Sequence, residues 1–128
     1  MTTIHKTDDK FLAFSKGGPR SILSISNRIA IDDAVVDLTE ERLTIIENTL
    51  RKFADEGLRV IAVAYKELPQ NGHYVAKDVE KDMIFVGLAA MKDPPRPEVK
   101  EAVGLAGQAG VRTIIITGDY GPTAQAIA

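Results

Sequence analysis

Two short runs place side chains suited to binding phosphate beside turns. In "FSKGGP", Lys16 adjoins Gly17, Gly18 and Pro19. A lysine at a glycine-rich turn can meet a nucleotide phosphate as a point charge. The run is not a P-loop, because the G-x-x-x-x-G-K-[ST] spacing is absent. Taken alone, it also fits a solvated lysine beside a turn. In "ITGDYGPTA", Thr117, Gly118 and Asp119 leave an apolar run and enter a helix-like pattern. Open α/β sheets bind ligands at such carboxyl ends of strands. Unpaired amides and the helix dipole favour an anion there, and the Thr117 hydroxyl can donate to a phosphate oxygen. Asp119 as a plain loop or cap residue is the competing assignment.

Two arginines add positive charge. Arg59 interrupts "LRVIAVAYKEL", which is otherwise apolar on both alternating faces. An arginine in such a strand must snorkel, pair with a carboxylate, or face a cleft. Arg96 follows Asp93-Pro94-Pro95, and the prolines stiffen the backbone that carries its guanidinium. His5 and His73 have no partner spacing for a metal, so no zinc site is expected. No Ser–His–acid or Cys–His set can be assembled. The carboxylates of "DDAVVDLTEE" and "KDVEKD" read as solvated faces and helix-start charges.

The elements that must position these groups follow from periodicity. "MTTIHKTDDK" is polar and reads as a frayed start. "FLAFSK" is a short strand; Gly17 and Gly18 then permit unusual backbone angles, and Pro19 opens a brief helix with Ile22 and Leu23 inward. In "LTEERLTIIENTLRKFADEG", Leu43, Ile46, Leu50 and Phe53 make one apolar helical stripe, capped by Thr39 and stopped at Gly57. "LRVIAVAYKEL" and "MIFVGLAAM" read as two buried, antiparallel strands. After the prolines, Pro97 opens a helix with Val99, Val103 and Ala106 inward, Gly110 ends it, and "VRTIII" forms a further strand. The expectation is an α+β fold, an antiparallel sheet with flanking helices, followed by a short α/β segment.

Composition sets outer limits. The chain has 128 residues, one average domain or two small lobes. With 45% hydrophobic residues it can pack a core, and a net charge of −2 gives no bulk case for nucleic acid. Without cysteine there is neither a disulfide scaffold nor a thiolate metal site. The apolar run from Met83 to Met91 is far shorter than the roughly 20 residues of a membrane helix.

Taken together, the pieces resemble the P-type cation-transporting ATPases, on the calcium and light-cation side. "KGGP" is similar to that family's K-G-A-P turn, and "GLRVIAVAYKEL" to the strand that follows with an arginine near its start. "FVGLAAMKDPPRPEV" is similar to the hinge into the phosphorylation domain, and "AGVRTIIITGDYGPTAQAIA" to the T-G-D segment. Order and spacing agree from about Phe11 to Ala128, and "DPPRPEV…AGVR…TGD" is the specific part.

The resemblance implies residues 1–92 as the later half of the nucleotide-binding domain, 93–96 as the hinge, and 97–128 as one βα unit of a haloacid-dehalogenase-like phosphorylation domain. It implies that Lys16, Gly17 and Arg59 line an ATP pocket. Arg96 would reach the nucleotide from the hinge, which Asp93 would help to hold. Thr117 and Gly118 would bind the transferred phosphoryl group, with Asp119 beside it. The cofactors implied are ATP and magnesium, with the magnesium ligands elsewhere. The implied partners are ATP, the remaining domains of the same pump and a cation bound elsewhere, with no nucleic acid. The parent would be a multi-pass membrane protein with this part on the cytoplasmic side. The sequence contains no D-K-T-G-T, no G-D-G-x-N-D and no T-G-E, and Arg20 stands where the family often has glutamate. A fragment without catalysis of its own is therefore expected, whose open sheet edge invites a homodimer. The alternatives are a stand-alone, non-catalytic nucleotide-binding module and a soluble phosphatase; the latter needs a nucleophilic aspartate motif that is absent.

Overall fold

The computed structural model describes residues 1–7, 10–70, 72, 74–92 and 96–117. Among these residues six strands form a single sheet: β1 (Thr2–Lys6), β2 (Phe11–Gly17), β3 (Ser26–Ile31), β4 (Ala34–Asp37), β5 (Arg59–Leu68) and β6 (Met83–Met91). Their spatial order is β1-β2-β5-β6-β3-β4. All neighbours are antiparallel except β3 and β6, which are parallel. The helices among the described residues are α1 (Pro19–Ser24), α2 (Glu40–Asp55), the single turn α3 (Ala76–Val79) and α4 (Pro97–Gln108). The α+β class expected from the sequence is the one found.

Local chemistry accounts for the helices. Thr39 caps α2, its hydroxyl accepting from Arg42 N at 3.4 Å, and Glu40 and Glu41 occupy the first turn. At the other end Gly57 takes φ 71°. Gly57 N donates to Ala54 O at 2.9 Å and Leu58 N to Phe53 O at 2.8 Å. This double closure needs a left-handed residue, hence glycine. Gly110, φ 79°, closes α4 in the same way through Ala106 and Gly107. By contrast Gly17 and Gly18 have no positive φ, so the unusual backbone expected there is not used. Gly18 is the N-cap of α1 with φ −55°.

Helices α1, α2 and α3 all lie against one face of the sheet. There Ile22 and Ile46 pack on Ala62, Ala64, Met83 and Phe85. Val79 of α3 extends this layer over Ala13 and Leu68. The alanines Ala13, Ala62 and Ala64 are fully buried, and their small side chains let the helices approach closely. On the other face Phe14, Ile61, Val63 and Tyr65 stay half-buried or exposed. The expectation that β5 is buried on both sides is thereby corrected: its apolar alternate face has no helix among α1 to α3 to cover it. Likewise β6 is buried only over Met83, Ile84 and Phe85.

Four further differences from expectation follow. The polar start is not frayed but is the edge strand β1, paired from Thr2↔Ser15 to Lys6↔Phe11. The hairpin β3–β4, turning at Asp32 with φ 52°, was not expected. Helix α4 forms as expected but buries nothing: Val99 and Val103 are 42% and 44% exposed. Only Ala106 of its expected inward face is half-buried. Residues 111–117 form no strand, and Ile116 is 94% exposed. An apolar segment joins a ladder only where a partner strand offers its backbone groups, and among the described residues none pairs with this one.

Candidate nucleotide-binding site

The site begins with strand register. Lys16 N donates to Met1 O and Met1 N to Lys16 O, both at 3.0 Å. Lys16 thus bonds to the β1 side and sits opposite Val63 of β5 as a close, non-hydrogen-bonded pair. Side chains alternate along β5, so Val63, Ile61 and Arg59 share a face with Lys16. Arg59 in turn faces Met91, the last residue of β6. Three adjacent strands therefore deliver their side chains to one end of the sheet.

There a depression of about 540 Å³ is lined by Lys16, Gly17, Arg59, Ile61, Met91 and Lys92, with Met1 at its rim. That volume falls within the range of small-molecule sites. Lys16, Arg59 and Lys92 are exposed. The described lining residues bring three cationic side chains, beside the Met1 ammonium, and no carboxylate. Ile61 is half-buried and Met91 45% exposed, giving an apolar stretch between the charges. Such a surface suits a ligand that is apolar and planar at one part and polyanionic at another.

Lys16, Gly17 and Arg59, expected together, are together. The Arg59 that broke an apolar strand stands at that strand's mouth, facing the depression. Gly17 contributes backbone; a Cβ there would touch the Ile22 side chain at 3.8 Å, on the helix-covered side. Arg96 is not part of the lining. It is the exposed N-cap residue of α4, its carbonyl accepting from Val99 N at 3.0 Å. Thr117 lies in residues 111–117, which form neither helix nor strand, and is exposed. Asp93, Gly118 and Asp119 lie outside the described residues, so their assigned roles have no geometry here. Sequence reasoning missed Ile61, Met91 and Lys92. A positive signal was present for Lys92, a lysine directly before the Asp-Pro-Pro-Arg turn, but its nearness to Arg59 depends on the β5–β6 register.

Among the described residues no three His, Cys, Asp or Glu side chains cluster to hold a metal. The lining itself is cationic. These residues do not fit a magnesium ion.

Among the described residues no helix is long and apolar enough to cross a membrane. Residues 1–98 match the family model of the P-type ATPase cytoplasmic domain N. The chain is 36% identical over 99% of its length to a calcium-transporting ATPase of Listeria monocytogenes, of which it covers 14%. It is 40% identical over 96% of its length to calcium-transporting ATPase 3, endoplasmic reticulum-type, of Arabidopsis thaliana, covering 12% of that protein. Similarity extends to the sodium/potassium-transporting ATPase subunit alpha-3 of Gallus gallus, 33% identical over 98% of the chain and 14% of the relative. The chain thus spans about a seventh or less of the curated relatives it matches. The chain belongs to the P-type ATPase family, with residues 1–98 matching its cytoplasmic domain N.

Proposed function

We propose that this chain binds ATP for a pump that couples ATP hydrolysis, through an aspartyl-phosphate, to cation transport across a membrane. The observation that carries this is convergence: Lys16 and Arg59, far apart in sequence, line one cation-rich depression with Gly17, and its described lining holds no carboxylate. In this function Lys16 and Arg59 hold the phosphates, and Ile61 and Met91 give the base an apolar wall. Residues 1–92 act as the later part of the nucleotide-binding domain and 93–96 as the hinge. Residues 97–128 begin the phosphorylation domain, where Thr117, Gly118 and Asp119 serve the transferred phosphoryl group. Arg96 and Asp93 act from the hinge side.

Magnesium would accompany the ATP, with its ligands in other parts of the pump. The chain alone lacks the D-K-T-G-T nucleophile and is inactive as a catalyst. Calcium, named for several relatives, is the cation to test first in the whole pump.

A calorimetric titration of ATP into the chain tests the binding claim. The expected dissociation constant is roughly millimolar, since an open depression buries little of the ligand. Arg59→Ala should weaken it several-fold. A wild-type chain that binds no ATP at millimolar concentration overturns the proposal.

A further inference from the structure

On the helix-covered face of the sheet, two hydroxyls and a carboxylate are linked directly behind Lys16. Ser15 precedes Lys16 in β2, so its side chain turns to that face, where it is 2% exposed. A hydroxyl buried there needs a partner, and Thr2, its opposite residue in β1, supplies one at 2.7 Å. Thr2 in turn donates to the Glu80 carboxylate, 78 residues away in sequence. Thr2 has a single hydroxyl hydrogen, so in this chain Ser15 donates to Thr2 and Thr2 to Glu80. Glu80 is the C-cap of α3, and the segment around it is held from the sheet. There the Lys66 ammonium of β5 donates to Asp78 O at 3.3 Å and to Lys81 O at 2.9 Å. A central strand thus fixes Glu80, and Glu80 fixes the start of the edge strand β1.

We propose that Thr2, Ser15 and Glu80 are positioning residues for the nucleotide site, locking Met1 beside Lys16 and so holding Lys16 in the lining. This rests on the proposal that the depression binds ATP. The start of β1 matters because the main-chain N–H and C=O of Lys16 both bond to Met1. The neighbours of Lys16 differ: Ser15 and Gly17 stand opposite Ala64 and Ala62 and by alternation bond to β5. If the start of β1 lifts away, β2 stays in the sheet while Lys16 loses its own main-chain partners. The end of an edge strand opens more readily than a strand paired on both sides, and a hydroxyl bond to a carboxylate is a strong tie against that opening. None of the three residues lines the depression, so their effect on a nucleotide passes through Lys16 and not through contact.

The test is backbone amide exchange together with ATP titration, on the wild-type chain, Thr2→Val, Thr2→Ser, Glu80→Ala and Glu80→Gln. Thermal midpoints serve as folding controls. Thr2→Val keeps the shape and removes the hydroxyl. It should speed exchange of the Lys16 amide several-fold and weaken ATP binding about two- to threefold. The Leu12 amide, at the far end of the same β1–β2 ladder, should exchange as in wild type. Glu80→Ala should act as Thr2→Val does. Thr2→Ser keeps the donor and Glu80→Gln keeps an acceptor, so both should restore exchange and affinity. In a Lys16→Ala background, Thr2→Val should bring no further loss of affinity, an outcome that a general loosening of the fold would not give. If Thr2→Val leaves Lys16 exchange or ATP affinity at the wild-type value while Arg59→Ala weakens binding, this inference falls and the ATP site stands. Equal weakening by Thr2→Val with and without the Lys16 side chain also overturns it. A wild-type chain that binds no ATP at millimolar concentration removes both proposals.

Discussion

Lys16 is fixed on both sides of its strand: the backbone by two 3.0 Å bonds to Met1, the side-chain face by register with Val63. Its ammonium is therefore presented with little main-chain freedom, and an exposed hydrogen-bonded charge of this kind contributes on the order of 1 kcal/mol to phosphate binding. Lys16→Ala should accordingly weaken ATP binding about fivefold, measured by calorimetry; an unchanged isotherm counts against the contact. Gly17 behaves differently, because its Cβ would point towards Ile22 and away from the ligand side. At this scale the sequence was informative where a residue broke a local pattern. Arg59 in an apolar strand and Lys16 at a glycine turn both stood out. Ile61 and Met91 did not, because an isoleucine and a methionine in apolar strands look like core.

Among the elements, the helix boundaries were the most legible, since caps and stops are local chemistry. Thr39 and Gly57 delimit α2 as their residue types dictate. Gly57→Ala forces a side chain into φ 71° and should destabilise the fold by about 1–2 kcal/mol in urea unfolding. A loss under about 0.3 kcal/mol would mean the closure can relax. Strand existence was legible for β2, β5 and β6, and their facing was not. Apolar residues on both sides of β5 suggested two covered faces, yet which face receives helices is decided by chain connection, not by alternation. The hairpin β3–β4 escaped because its turn is Asp32-Asp33 without glycine, a weak turn signal. The parallel pairing of β3 with β6 is a non-local choice with no local signature. The segment 111–117 shows the converse: a sound strand pattern that stays unpaired among the described residues.

At the scale of the molecule, the sheet has two ends, β1 and β4, each with a neighbour on one side only. Met1 exchanges both backbone bonds with Lys16, so alternation turns the N–H and C=O groups of Thr2, Ile4 and Lys6 outward. Helix α2 packs on β5 in the middle of the sheet, not over this edge. An edge that no described residue pairs with, and whose backbone groups are regular, invites pairing with another copy. Sedimentation should show concentration-dependent dimers of the wild-type chain and monomers of Ile4→Pro, which deletes an outward N–H and spares the β1–β2 ladder. A wild-type chain that stays monomeric at high concentration contradicts edge pairing. The central claim concerns the depression at the mouth of β2, β5 and β6. An amide chemical-shift titration of the labelled chain with ATP tests it most directly. Shifts concentrated at Lys16, Gly17, Arg59, Ile61 and Lys92 are the predicted result. Shifts elsewhere, or none at millimolar ATP, would contradict it.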